Sequence, residues 1–231
     1  MTFFIDSFRS ALLLIFSMDR ELLEVIGVSL RVSISSTIIA GIIGIPLGLN
    51  IVLQEFRFKR LLITCLNTLL AMPTVVVGLL VYSFISRKGI LGSFELLYTQ
   101  KAMIIGQVIL IIPIIATYTI SAVNRIDDRY RKTALTLGAD AFQAACIIMR
   151  EARFSLVAAV IIAYGRVIAE VGISMMLGGN AKGFTRTMTT AMALEYDKGE
   201  FVLSIALGII LLLISFSVNI ILNYFQGKSR A

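Results

Sequence analysis

The sequence predicts an all-α membrane protein, and three observations predict it: an apolar composition, apolar runs of bilayer-spanning length, and the near absence of charge inside those runs. Hydrophobic residues make up 58% of the 231 residues and charged residues 15%, with a mean hydropathy of +0.93. Soluble domains lie at roughly 45–50% apolar and about 25% charged. A helix needs about 20 predominantly apolar residues to cross a hydrocarbon core. Five stretches meet that length, at 33–53, 61–85, 102–123, 154–177 and 201–224, and the fourth alone holds acidic or basic residues, Arg166 and Glu170.

Composition also excludes whole classes of chemistry. With no histidine the chain lacks the commonest metal ligand and the usual general base, and Cys65 and Cys146 stand far apart with no second ligand cluster near either. Zinc sites, histidine triads and a disulfide framework are thereby set aside. The net charge of +7 needs no nucleic acid to explain it. In so apolar a chain, Lys and Arg mainly set orientation in the bilayer.

The elements follow in order. Residues 1–24 carry Phe3, Phe4, Phe8, Leu12 and Ile15 at helical spacing, but Asp6, Arg9, Asp19 and Arg20 leave too short an apolar stretch to span. An interfacial amphipathic helix is expected there, and the acidic start argues against a cleaved signal peptide. Residues 25–224 are expected to form one transmembrane domain, the first span extending upstream as far as Val25, and 225–231 a short tail. Pro46, Pro73 and Pro113 fall one in each of the first three spans. They fit either kinked helices around a pathway or the ordinary tolerance of membrane helices for proline. Gly41, Gly44 and Gly48 line one helix face, which predicts close helix packing.

Basic residues choose the orientation. One side collects Arg57, Lys59 and Arg60, then Arg125, Arg129, Arg131, Lys132, Arg150 and Arg153, then Lys228 and Arg230. These outnumber Arg9, Arg20, Arg87, Lys88, Lys101, Lys182, Arg186 and Lys198 on the other. The excess places the N-terminus outside and the 124–153 loop and C-terminus in the cytoplasm.

That loop is too long to be a simple connection. Leu135, Leu137, Ala139, Phe142, Ala145, Ile147, Ile148 and Met149 recur every three or four residues, predicting two short helices broken at Gly138. Such a hairpin either seats its apolar face in a groove on a partner or packs back on its own membrane domain.

At Lys132-Thr133-Ala134-Leu135-Thr136-Leu137-Gly138-Ala139 the chain resembles the EAA loop of binding-protein-dependent ABC import permeases. Ala134 and Gly138 match the pattern. Lys132 and Thr133 replace its Glu and first Ala, and Glu151 stands where a proline is usual. Downstream, Gly165-Arg166-Val167-Ile168-Ala169-Glu170-Val171-Gly172, Gly178-Gly179-Asn180 and Thr185-Arg186-Thr187-Met188-Thr189-Thr190-Ala191 resemble the molybdate and tungstate branch of that family, the tungstate-type subunit most closely. The resemblance implies a type I importer permease fold in a prokaryotic cell membrane, working as a homodimer with two cytoplasmic ABC ATPase subunits and an external oxyanion-binding protein. It further implies that Ala134, Leu135, Leu137, Gly138, Ala139, Asp140 and Phe142 couple to the ATPase.

Arg166 and Glu170 lie at i, i+4 on one face, either as an orienting ion pair or with Arg166 raising the potential along an anion path. Thr185, Arg186, Thr187, Thr189 and Thr190 bring one cation and four hydroxyls together in sequence. Such donors suit a tetrahedral oxyanion, and Arg166, Glu170, Thr185, Arg186 and Thr189 are the candidate path residues. No cofactor is expected on the chain. It has no Walker A motif, because in the imitation that ends at Gly227-Lys228-Ser229 the earlier glycine position is Leu222. ATP would therefore be used by a partner chain. Tungstate is the expected cargo, with molybdate or another oxyanion as alternatives. A partner-free transporter or channel is disfavoured by the missing internal repeat, and an enzyme by the missing HExxH and GxSxG signatures.

Overall fold

The computed structural model describes residues 2–17 and 19–228, with side chains from 7 to 17 and 19 to 227. The Lys228 side chain and Arg230 of the tail, and the 2–6 side chains of the first amphipathic stripe, lie outside these. The described residues are helical, with no strand among them: α1 (Thr2–Phe16), α2 (Arg20–Leu53), α3 (Lys59–Leu70), α4 (Thr74–Ile85), α5 (Gln100–Val123), α6 (Asp128–Thr136), α7 (Ala141–Glu151), α8 (Arg153–Ile168), α9 (Gly172–Gly178), α10 (Met188–Lys198) and α11 (Phe201–Lys228).

Three helices, α2, α5 and α11, are long and apolar enough to cross a membrane unbroken, and the bent pairs α3/α4 and α8/α9 bring the number of spans to as many as five. The apolar runs thus located the spans, whereas caps located their ends. Helix α2 begins at Arg20, well before the apolar run. Asp19 is the reason: its Oδ1 accepts the backbone N–H of Glu21 at 2.9 Å and of Leu22 at 3.2 Å, satisfying donors that a helix start leaves orphaned. The prolines behave differently from one another. Pro46 and Pro113 sit inside continuous helices. Pro73 stands with φ −62° and ψ 130° just before α4, where its missing N–H and its restriction of Met72 end the preceding helix.

The chain divides into two compact units. The first comprises Met1–Ser36, Pro73–Gln107 and Gly165–Ser217. Its centre is α9, which at 7 residues is far too short to hold a helical conformation alone. Neighbours hold it instead. A Cβ on Gly78 of α4 would lie 2.9 Å from Met176 Sδ, and one on Gly106 of α5 would lie 2.6 Å from Ile173 Cγ2 and 2.5 Å from Leu177 Cδ1. Ile173, Ser174, Leu177 and Gly178 are buried. Gln107 bridges two helices there, accepting from Ser36 Oγ at 2.8 Å and donating to Ser174 Oγ at 3.5 Å.

The second unit comprises Thr37–Met72, Val108–Tyr164 and Val218–Ala231. Here Gly44 and Gly48 let α2 approach α5. A Cβ at Gly44 would meet Ile115 at 3.0 Å, and one at Gly48 would meet the Ala116 carbonyl oxygen and Thr119 Cβ at 2.7 Å each. The small-residue face expected from the sequence is therefore a helix contact. Three apolar clusters surround it: Ile51, Leu66, Ala116 and Ile120; Leu49, Val123 and Ile148; and Ala122, Ala152 and Leu156.

Because one atom facing Gly48 is backbone, Gly48→Leu is expected to destabilise the protein by about 1–3 kcal/mol through overpacking. Gly27→Ala, at a position with nothing within 4 Å, leaves stability unchanged or raised. Thermal unfolding of the detergent-solubilised variants measures both.

Candidate functional site

The 124–153 segment builds a helical hairpin in the second unit, and each of its joints has a local cause. Asp127 caps α6, its side chain accepting from Arg129 N at 2.9 Å. The helix closes with a pair of bonds, Gly138 N–H to the Leu135 carbonyl at 3.1 Å and Ala139 N–H to the Ala134 carbonyl at 3.0 Å. This is the Schellman arrangement, and it needs a positive φ at its turning residue. Gly138 supplies it with φ 89°. Asp140 then opens α7 with a capping box, accepting from Gln143 N at 2.7 Å while Asp140 N–H donates to Gln143 Oε1 at 3.1 Å.

The hairpin is both seated and bare. Ala134, Ala144 and Ile148 are buried, and Ile148 joins Leu49 and Val123 in one cluster. Two cations tie the end of α2 beneath it: Arg131 Nη2 donates to the Leu53 carbonyl at 3.3 Å, and Lys59 Nζ to the Val52 carbonyl at 2.9 Å. Both act where a helix C-terminus presents unpaired carbonyls and partial negative charge. Lys59 also hydrogen-bonds Glu55 Oε1 at 2.9 Å, and that bond and the ammonium charge hold the Glu55 carboxyl below its ordinary range. At the tip, by contrast, Leu135 is exposed, Leu137 is 82% exposed and Phe142 76%. With Asp140 and Gln143 engaged in the capping box, Leu135, Leu137 and Phe142 are the exposed large apolar side chains of the tip. A Cβ on Gly138 would meet nothing within 4 Å, so a side chain there meets backbone strain but no clash within the chain.

The second candidate region lies in the first unit, around the α8–α9 break. Arg166 Nη1 pairs with Glu170 Oε2 at 3.0 Å, but the two side chains differ, 43% exposed for Arg166 against 2% for Glu170. The buried carboxylate has further partners. Glu170 Oε1 accepts the Ile173 N–H at 3.1 Å and so caps α9, while the Glu170 carbonyl accepts from Thr189 Oγ1 at 2.8 Å. Thr185 Oγ1 donates to the Gly178 carbonyl at 2.6 Å and accepts from Ala181 N at 3.0 Å. Thr187 and Thr190 form a capping box at the start of α10, and Met188 N–H donates to Ser29 Oγ at 2.7 Å.

Arg186 is the hub of an ion network. Its Nη1 lies 3.4 Å from Glu21 Oε1 and 3.6 Å from Glu195 Oε1; Lys182 meets Glu21 at 2.6 Å and Lys198 meets Glu195 at 2.9 Å. Buried Arg186 Nε and Asn180 Oδ1 have no hydrogen-bond partner. The structure thus brings Glu170 and Thr189 together and ties Thr185 to the 178–181 turn. It engages Arg186 with two carboxylates. Among the path candidates Arg166 is the one with an exposed side chain. Glu21, Glu195, Ser29 and Gln107 were not singled out from sequence. Their partners lie far along the chain, as with Glu21 and Arg186 at a separation of 165, and no local pattern signals such a pairing. Among the described residues no group of three or more His, Cys, Asp or Glu side chains is placed to hold a metal.

Residues 40–231 match the family described as the inner membrane component of binding-protein-dependent transport systems, and the chain belongs to that family: it is the permease subunit of a binding-protein-dependent ABC importer. It is 38% identical over 228 residues to the tungstate uptake system permease protein TupB of Peptoclostridium acidaminophilum, covering 99% of this chain and 100% of that one. It is 39% identical over 216 residues to the TupB of Campylobacter jejuni, covering 94% and 90%. Among solved structures, a chain of the inward-facing MetNI methionine ABC transporter superposes with a TM-score of 0.67 at 18% identity, over 88% of this chain and 95% of that one.

Removing one member of a buried ion network leaves the others uncompensated, at roughly 3–5 kcal/mol for a fully buried pair. Arg186→Met is expected at the lower end of that range, because Lys182 and Lys198 still face Glu21 and Glu195. Pairing it with Glu195→Met restores part of the loss, as read from thermal unfolding of both variants.

Proposed function

We propose that this permease imports tungstate, taking the oxyanion from an external binding protein and driven by two ATPase subunits that dock on the 124–153 hairpin of a homodimer. The observation that carries the cargo is near full-length identity of 38% and 39% to two tungstate uptake permeases. The bare hairpin tip supports the docking. Leu135, Leu137 and Phe142 present apolar surface on a turn stiffened by Gly138, Ala139, Asp140 and the α6 closure at Ala134, suited to insertion into a groove. The basic bias around the hairpin supports a cytoplasmic position, with the N-terminus outside. Helix α1 would then lie at the outer interface, next to the start of α2.

ATP binding in the partner chains favours their closed arrangement, and a hairpin seated on the second unit by Ile148 and Arg131 transmits that motion as a rigid body. The permease moves between discrete packed states, inward- and outward-facing, because packed helices do not deform continuously. Within the path Arg166 offers its half-exposed guanidinium to the passing anion. Glu170, Thr185, Arg186 and Thr189 hold the broken span in shape around it.

Cellular tungsten and molybdenum measured at low supply test the assignment. Deleting the gene should lower tungsten selectively, and unchanged tungsten excludes it. Gly138→Arg should reach the membrane in normal amount, give the same loss, and fail to retain the ATPase on pull-down; normal ATPase retention removes the docking role.

Arg166→Gln with Glu170→Gln removes both charges while keeping an amide oxygen to cap α9. Tungstate uptake is expected to fall about tenfold or more, equivalent to ~1.4 kcal/mol or more of lost anion stabilisation. Full uptake in the double variant shows that the pair only orients helices.

A further inference from the structure

A cavity of about 1040 Å³ opens in the second unit, bounded by the C-terminal end of α5, the α6–α7 hairpin, the first half of α8 and Gln226 of α11. Two chemistries line it. Arg125, Arg150 and Arg153 border it together with a single carboxylate, Glu151. Among the described residues none of the three arginines forms an ion pair. Arg150 and Arg153 sit on either side of Ala152, whose burial against Ala122 and Leu156 fixes the α7–α8 junction. The Arg153 guanidinium is further held 4.8 Å over the Phe154 ring, a cation–π contact that restrains it. Tyr118, Ser121 and Tyr130, each carrying a hydroxyl, also line the cavity.

The other chemistry is apolar. Ala122, Ala158, Ala159 and Ile162 line the same cavity. Along α8, Ile162 lies roughly 13 Å from Arg153 at 1.5 Å per residue, a length comparable to a good part of an acyl chain. Ala122, Ala158 and Ala159 are themselves buried, so the accessible part of the apolar wall comes from Ile126, Ile147, Phe154 and Ile162. A guanidinium cluster recognises tetrahedral oxyanions by charge-assisted, often bidentate hydrogen bonds, and basic pockets between transmembrane helices take lipid headgroups. A free oxyanion would use the arginines and leave the wall unused. A phospholipid uses both.

We infer that this cavity binds a tetrahedral oxyanion group on Arg125, Arg150 and Arg153, and that its occupant is the phosphate of an anionic phospholipid whose acyl chain lies against Ile126, Ile147, Phe154 and Ile162. Arg166, Leu135, Leu137 and Phe142 are not among its lining residues, and the inference does not depend on the cargo.

The test is native mass spectrometry of the full-length permease with its ATPase, released from nanodiscs containing phosphatidylglycerol or phosphatidylcholine alone, in the wild type and in R125Q/R150Q/R153Q. The expected result is a retained phosphatidylglycerol adduct, no equal phosphatidylcholine adduct, and at least about tenfold less adduct in the triple variant, since losing even one charge-assisted contact is of that order. R125Q alone, at a residue between α5 and α6, serves where the triple variant does not fold, and should lower the adduct in the same direction. A parallel arm adds excess tungstate. Persistence of the lipid adduct supports the lipid as occupant. Arginine-dependent tungstate retention with displacement of the lipid keeps the oxyanion site but overturns the lipid. Equal retention of phosphatidylglycerol by wild type and variants overturns the site itself.

Discussion

A backbone amide or carbonyl placed in a bilayer must find its partner within the protein, since the surrounding hydrocarbon offers none. Most of this chain meets that demand with unbroken helix. The α8–α9 break does not, and much of the first unit is arranged around it. Glu170 caps α9 through Ile173 N–H, its own carbonyl is taken up by Thr189, and its charge is balanced by Arg166. Thr185 satisfies the Gly178 carbonyl at the other end of α9. Residues that read as a row of donors in sequence are therefore spent largely on the protein's own backbone, which is why Arg166 alone among them keeps a substantial exposed surface.

The second unit meets a different constraint. Its hairpin is braced by bonds within the segment and leaves apolar surface at its tip uncovered. Stiffness comes from short-range chemistry: the Asp127 cap, the Schellman closure at Gly138 and the Asp140 capping box, each satisfying donors or acceptors within a few residues. Seating comes from Ile148 in the Leu49–Val123 cluster and from Arg131 on the last carbonyl of α2. Of the two readings that the amphipathic pattern leaves open, packing back is realised by Ala134, Ala144 and Ile148, while Leu135, Leu137 and Phe142 stay exposed.

Glycine does related work in both units at close range. Gly78 and Gly106 let α4 and α5 reach α9, and Gly44 and Gly48 let α2 reach α5. The Gly44–Gly48 step is visible as a spacing, whereas Gly78 and Gly106 stand alone in their helices and carry no periodic signal. The same contrast holds for the prolines. Pro46, Pro73 and Pro113 look alike in sequence, yet only Pro73 coincides with a helix break, because whether a missing N–H is tolerated depends on what surrounds it.

What the sequence by itself determined is whatever rests on composition and short-range spacing: the membrane class, the positions of the apolar spans, the hairpin with its turn at Gly138, and the i, i+4 pairing of Arg166 with Glu170. These need only a helix period, a cap or a bilayer thickness, all encoded within a few residues or one span. Tertiary structure decided the rest. Glu21 meets Arg186 across a separation of 165 residues, Ser29 meets Met188 across 159, and Gln107 joins Ser36 to Ser174. Which donors remain available and which are already satisfied is a property of such distant contacts, and it emerges only when the helices have packed.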